Sequence, residues 1–141
     1  MASSLICGET QSRVSSVLNR DVKQFGKKYM FDNNEETCWH SDQGDTQWVA
    51  LEFPQPVQVS ELRLQFQGGF SGKTCRMEGS PKDGSFSKIC DFYPEDDNSA
   101  QSFPIREASV VHNLKIVFEN SADFFGRIIV YSLDVLGEKA L

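Results

Sequence analysis

Apolar and polar positions begin to alternate at Trp48 and keep doing so to the end of the chain. In WVALEF, Val49, Leu51 and Phe53 alternate with small or polar neighbours, and Pro54 and Pro56 then close the run as edge or turn residues do. The next run changes phase. Val57 and Val59 share one parity while Leu62, Leu64 and Phe66 share the other, which predicts a one-residue β-bulge at Ser60 to Glu61 and one bent strand or two abutting ones. Beyond a flexible turn at 68–72, TCRMEGS and FSKICDF flank Pro81, Lys82, Asp83 and Gly84, so a hairpin is predicted over 74–92. A polar, acidic excursion follows, and then Leu114, Ile116 and Phe118 mark another strand. The last strand is read with Ile129, Tyr131, Leu133 and Val135 on one face, and Ile128 and Val130 partly covered on the other. No long helical period interrupts this pattern. About eight short strands separated by turn signals predict an all-β domain, an antiparallel β-sandwich or jelly roll.

Length and charge narrow the function classes. A chain of 141 residues fits one domain, 1–141, at a size where about 68–70% of the unfolded surface is buried on folding. Twenty acidic residues against fourteen basic ones give a net charge of −6, which repels phosphate backbones, so direct nucleic-acid binding is not expected. No stretch approaches the ~20 apolar residues of a membrane span, and the first residues, MASSLICGE, lack the charged and apolar regions of a secretory leader. A soluble, unsecreted protein is expected. Cys7, Cys38, Cys75 and Cys90 form no CxxC pair, which argues against structural zinc. Their even number allows two disulfides, but no Asn-x-Ser/Thr acceptor supports a secretory route, and free thiols are the preferred reading.

Three catalytic or nucleotide signals fail on inspection. GGFSGKT ends like a phosphate loop, yet the first glycine of that motif falls on Gln67 and a strand, not a helix, follows the lysine. His40 and His112 have no neighbouring serine or cysteine in a strained turn and are read as surface residues. Glu35 with Glu36, and Asp96 with Asp97, are read as solvated loop carboxylates. No enzyme is expected.

The stretch FDNNEETCWHSD followed by QWVALEF resembles the signature of discoidin-type domains, the modules of coagulation factors V and VIII. EGSPKDGSFSKI resembles that family's Ser-x-Asp-Gly turn, with Phe86 where a tryptophan is common, and IIVYSLDVLG resembles its closing strand ending at Gly137. The likeness runs from about residue 10 to 138. It implies an eight-stranded jelly roll of the galactose-binding-like fold, non-catalytic, binding through loops at one end. SRVSSVLNR, KQFGKK, QFQGGFS, DFYPEDDNS and DFFGR resemble more closely a small intracellular branch of the family. That branch implies a nuclear location and an orphan nuclear receptor as protein partner, with the receptor's contact with DNA suppressed. A monomer is expected. Secreted relatives tie their termini with a disulfide, whereas Cys7 has no cysteine partner beyond residue 90, in keeping with an intracellular member. The family also implies a structural Ca²⁺, and Asp32 and Thr37 match two of its ligands. Ser132 stands where a glutamate is expected, so a hard cation wanting six to eight oxygens loses a charged ligand.

For residues 31–53 the sequence offers a structural clasp, a sugar platform or a metal site. The clasp is preferred, with Trp39 and Trp48 filling or lidding the core. The partner or ligand surface is expected among four loops, 20–28, 40–47, 68–73 and 120–127. They contribute Arg20, Lys23, Phe25, Lys27 and Lys28, the one basic patch, together with His40, Phe70, Phe124, Phe125 and Arg127. Neighbours on an extended segment point to opposite faces, so at least one of Phe124 and Phe125 is expected to be partly exposed; the alternative is that both rings tuck under the sheet end and Arg127 braces the acidic loop. No L-x-x-L-L helix is present, and the partner contact should be loop-borne or strand-borne. The alternative is a module recognising a glycan, phospholipid or peptide terminus through the same loops.

Overall fold

The computed structural model describes residues 2–140; Met1 and Leu141, the ends of the expected 1–141 domain, lie outside the described residues. Eight strands are present: β1 (Ser3–Ser4), β2 (Gln11–Val14), β3 (Trp39–His40), β4 (Thr46–Phe66), β5 (Gly72–Ser80), β6 (Ser87–Phe92), β7 (Ala100–Ser121) and β8 (Ile129–Lys139). Helical structure is confined to the segment between β2 and β3. It comprises 3-10 turns at Leu18–Arg20 and Lys27–Met30 around one short helix, α1 (Val22–Phe25), whose first turn is capped by the Asp21 carboxylate accepting from Gln24 N.

Two long strands carry the architecture. The first half of β4 pairs with β2 on one side and with residues 113–119 of β7 on the other, and β5 and β6 continue that layer. The second half of β4 pairs with β8 and with residues 100–104 of β7, and β1 and β3 complete this second layer on β8. All pairs are antiparallel, and the result is the expected eight-stranded β-sandwich of jelly-roll type. The turn from one layer to the other is made by register shifts. One lies between Val59 and Glu61, where the phase change in the sequence predicts it, and another spans Glu52 to Val57 around the two prolines. Pro54 and Pro56 therefore bend the strand without ending it.

A core of inward side chains fills the space between the layers. Val49, Leu51 and Phe53 from one half of β4, with Leu114, Ile116 and Phe118 of β7 beside them, share the core with Leu62, Leu64 and Phe66 from the other half. Burial of each such side chain contributes roughly 1.5–3 kcal/mol before its loss of conformational freedom is counted. β8 departs from the expected parity. A shift opposite Gln65 and Phe66 inserts an extra residue near Tyr131, so Ile128 and Val130 join the core ahead of Leu133 and Val135, while Tyr131 is only half-buried. His112 also differs from expectation, being buried on β7. Among the described residues, no buried side-chain nitrogen or oxygen lacks a hydrogen-bond partner.

The two tryptophans have opposite fates. Trp39 is fully buried, packs near Phe118 with ring centroids 6.2 Å apart, and donates from Nε1 to Ser16 O at 2.9 Å. Trp48 is half-buried on the outer face of β4, because its parity is opposite to that of Val49, Leu51 and Phe53. Trp39 therefore fills the core, whereas Trp48 lies against the outside of β4. Truncating Trp39 to alanine is expected to cost about 3–5 kcal/mol in denaturant unfolding, and Trp48→Ala only about 1 kcal/mol. Equal losses would contradict this placement.

The four cysteines are free thiols. Burial pushes the Cys75 thiol up to about 12 and raises Cys38 and Cys90, whereas the Thr10 hydroxyl, hydrogen-bonded to exposed Cys7, lowers that thiol. Thiolate is the reactive form, so an aromatic disulfide reagent near pH 8 should modify Cys7 first and Cys75 last. Denaturation without reductant should release four reactive groups in all, and a lower total would refute the free-thiol assignment.

Candidate functional site

Four connections meet at one end of the sandwich, and buried polar side chains tie them together. Ser41, fully buried, donates its amide to Ile128 O at 2.8 Å and accepts at Oγ from Ile128 N at 2.7 Å. Its hydroxyl donates onward to Asp42 O. Gln47, also buried, accepts at Oε1 from the Ser15 and Ser16 hydroxyls at 2.6 and 2.8 Å, and donates from Nε2 to Asp42 O at 3.0 Å. These bonds lock the segment after β2, the loop 41–45 and the loop before β8 into one body.

On the same end, the loop between β4 and β5 is held from the far side. The Asp96 carboxylate accepts from Gly69 N and from the Ser71 hydroxyl, each at 2.8 Å, and Asn98 Oδ1 accepts from Gly68 N at 2.7 Å. Asp96 is therefore a structural anchor and not merely solvated surface. The loop carries Phe70, whose carbonyl accepts from Ile129 N at 3.1 Å.

The connection from β7 to β8 is the most constrained of the four. The Arg127 guanidinium donates from Nε to Asp123 Oδ2 at 2.8 Å and from Nη2 to Oδ1 at 3.0 Å, and the Arg127 amide donates to Oδ2 at 3.1 Å. This paired geometry is the strong form of a carboxylate–guanidinium contact. The guanidinium holds the Asp123 carboxyl below the usual carboxylate range. Gly126 sits at φ 83°, and a Cβ there would lie 1.9 Å from Gly44 O, so the two loops touch where only glycine fits. Gly44 N donates to Phe125 O at 3.0 Å across the same seam.

What these supports display is a row of rings and one guanidinium. Phe25 meets His40 with centroids 5.3 Å apart, His40 meets Phe70 at 6.1 Å, and Arg127 Cζ lies 5.5 Å from the Phe70 ring and 5.4 Å from Phe125. Phe124 extends the row edge-on to Phe125 at 5.3 Å. His40 Nδ1 lies 2.8 Å from Ser41 O and must donate there, which leaves Nε2 as the acceptor of the neutral ring. Phe124 is 93% exposed and Phe125 55% exposed, so both rings point outward. Neither ring tucks under the sheet end: the segment 122–127 is a turn, not an extended strand, and strict alternation does not apply.

Six of the ten expected contact residues thus stand together: Phe25, His40, Phe70, Phe124, Phe125 and Arg127. Lys23, Lys27 and Lys28 line a different surface, beside Trp48. Arg20 is exposed with φ 58° and takes no part in the row. Ser15, Ser16, Ser41 and Gln47, which position the row, gave no sequence signal, since small polar residues in loops are ordinarily solvated.

The calcium expectation meets a thin ligand set. Asp32 Oδ2 accepts from the Thr37 hydroxyl at 2.6 Å, and Oδ1 accepts from Asn34 N at 3.1 Å. Ser132 does line the same recess as Phe31 and Asn33, but it brings no charge. Among the described residues there is no group of three or more His, Cys, Asp or Glu side chains able to hold an ion. One carboxylate and one hydroxyl do not fit a cation that prefers six to eight oxygens.

Comparison with known proteins places this chain in a family. The family model described as NedA-like, galactose-binding domain, of the F5/F8 type C group, matches residues 29–116. Nuclear receptor 2C2-associated protein of Danio rerio is 75% identical over 141 residues, covering 100% of both chains, and that of Homo sapiens is 60% identical over 139 residues, covering 99% of both. The chain belongs to the nuclear receptor 2C2-associated branch of the F5/F8 type C family. Solved structures agree on the fold. An F5/8 type C domain from Bacteroides fragilis superposes with a TM-score of 0.83 at 10% identity, over 99% of this chain and 98% of that one. The family 32 carbohydrate-binding module of Clostridium perfringens NanJ, in complex with galactose, superposes at 0.79 and 15% identity, over 96% and 99%. Within this family fold, the row of rings occupies a set of loops pinned by a carboxylate–guanidinium bridge.

Asp123 carries a pH dependence that can be read directly. A carboxyl whose folded-state pKa is depressed contributes stability above its unfolded value of about 3.9, and that contribution fades as pH falls through the lower folded value. The loop should therefore stay ordered through pH 7 to 4.5 and loosen only below the ordinary aspartate range. In Asp123→Ala, the Arg127 and Gly44 amides should exchange faster at every pH after correction for intrinsic rates. Unchanged exchange would show that the bridge does not hold the loop.

Proposed function

We propose that this chain is a non-catalytic adaptor that binds an orphan nuclear receptor of the 2C2 type in the nucleus and lowers the receptor's hold on DNA. The contact surface in this reading is the row Phe25, His40, Phe70, Arg127, Phe125 and Phe124. One observation carries it: Phe124 and Phe125 are exposed on a loop fixed by Asp123, Arg127 and Gly126, although neither ring supports the core. Exposing two large rings on a rigid loop wastes burial in the free protein and suits a docked one. Aromatic residues grouped around an arginine have the composition of an interface hot spot, and loops held rigid before binding lose little freedom on docking. The names of relatives as similar as 75% support the receptor as partner. A net charge of −6 supports interference through the receptor and not through DNA itself.

A second reading has its own support. The Nε2 of His40, beside the Phe70 ring, offers a polar acceptor next to an apolar face, the combination a sugar ring uses, and the C. perfringens neighbour is solved with galactose.

Purified receptor captured on wild type, Phe124→Ser and Phe125→Ser should separate the two. Both variants should keep the wild-type melting temperature and lose receptor binding by roughly ten-fold or more, as hot-spot truncations do. The wild type should also reduce receptor binding to its DNA element while giving no shift of that DNA alone. Full capture by the double variant would overturn the assignment, and galactose binding without receptor capture would favour the sugar reading.

A further inference from the structure

The outer face of β4 carries a second surface that the ring row does not use. Val14, Val17, Val22 and Trp48 floor a groove of about 660 Å³ between the β2–β4 ladder and α1, and Arg13, Lys23, Lys27 and Lys28 rim it. Val22 is 60% exposed although it sits at the start of α1, where nothing in the chain covers it. The indole of Trp48 lies between two cations, with Lys115 Nζ 4.9 Å and Arg13 Cζ 5.9 Å from its centroid.

The charge distribution is uneven in a way the fold does not require. Five of the fourteen basic residues gather around one indole in a chain with twenty acidic ones. Among the described residues, ion pairs engage Arg63, Arg76, Lys88 and Arg127, and none engages these five. Lys27 donates to Ser12 O and Lys28 stands 5.0 Å over the Tyr29 ring, neither of which neutralises charge. Asp21 and Glu52 make no ion pair with them, the Asp21 carboxylate caps α1, and Glu78, the cross-strand neighbour of Lys115, pairs with Arg76 instead.

We propose that this groove docks an acidic peptide segment of a partner protein, with one bulky apolar side chain on the Trp48 floor and carboxylates against the rim. The volume lies within the range of ligand pockets, ~300–1,000 Å³, and an apolar floor ringed by cations is complementary to an apolar residue flanked by Asp or Glu. A polyanion such as DNA or an anionic bilayer would leave the floor unused and would bring the rest of a −6 chain against like charge. This site does not depend on the receptor assignment, because it shares no side chain with the ring row.

Selection of short random peptides displayed on phage against the folded chain tests the idea. Enriched sequences should place an aromatic or large aliphatic residue between acidic ones. A synthetic copy of the strongest, followed by fluorescence anisotropy, should lose roughly ten-fold in affinity on Lys23→Glu with Lys28→Glu, and again on Trp48→Ala, and should weaken with added salt. The Phe124→Ser, Phe125→Ser double variant should bind it as wild type does, so failure here and failure of receptor capture are read separately. Enrichment of peptides without acidic flanks, no enrichment, or affinity unaffected by both groove variants would overturn the proposal. So would tighter binding of phosphatidylserine vesicles or duplex DNA through the same lysines.

Discussion

The loop end of this molecule depends on a pair of hydrogen bonds made in a fully buried place. Ser41 donates its amide to the Ile128 carbonyl, and the Ser41 hydroxyl oxygen accepts from the Ile128 amide, so two loops far apart in sequence are joined at the edge of the core. An unmet polar group at that depth would cost about 1–3 kcal/mol, which makes the junction all-or-none. Trp39, two residues earlier, fixes the same strand from inside through Ser16. With this junction in place, Gly44 and Gly126 come into contact, Arg127 is brought under Phe70, and Phe125 and Phe124 have nowhere to go but outward.

Such an arrangement separates the residues that hold the loops from those the loops display. The residues that hold the loops are buried serines, a glutamine and glycine backbone; the residues on display contribute little to the core. The sandwich provides a stiff platform, since β4 and β7 each run through both layers and any rotation between layers would break their ladders. Loops on such a platform can change side chains without loss of fold, in keeping with galactose-complexed and receptor-associated names falling on one architecture.

Much of this was legible before the coordinates, and the exceptions have physical causes. The bulge at Ser60 was visible as a phase change in five apolar residues, and the hairpin as an Asp-Gly turn between two runs. The parity of Val49, Leu51 and Phe53 places Trp48 on the outer face, although the size of an indole favours a buried position. The extra residue near Tyr131 was invisible because Ile128, Ile129 and Val130 are all apolar, so no polar neighbour reported the parity. Phe124 and Phe125 were judged by strand rules inside a turn. The Trp48 groove is illegible for a related reason: Lys23, Lys27 and Lys28 adjoin the loop end in sequence, and a sequence cannot say that α1 and the 3-10 turn after it set them beside β4.

The central claim is that partner recognition belongs to the loop end. Hydrogen–deuterium exchange of the chain alone and in complex with the receptor addresses it most directly, since protection reports contact without altering a residue. The account predicts new protection over 40–47, 67–73 and 121–128, with the hairpin of β5 and β6 unchanged. Protection confined to that hairpin, with the three loops exchanging as in the free protein, would contradict it.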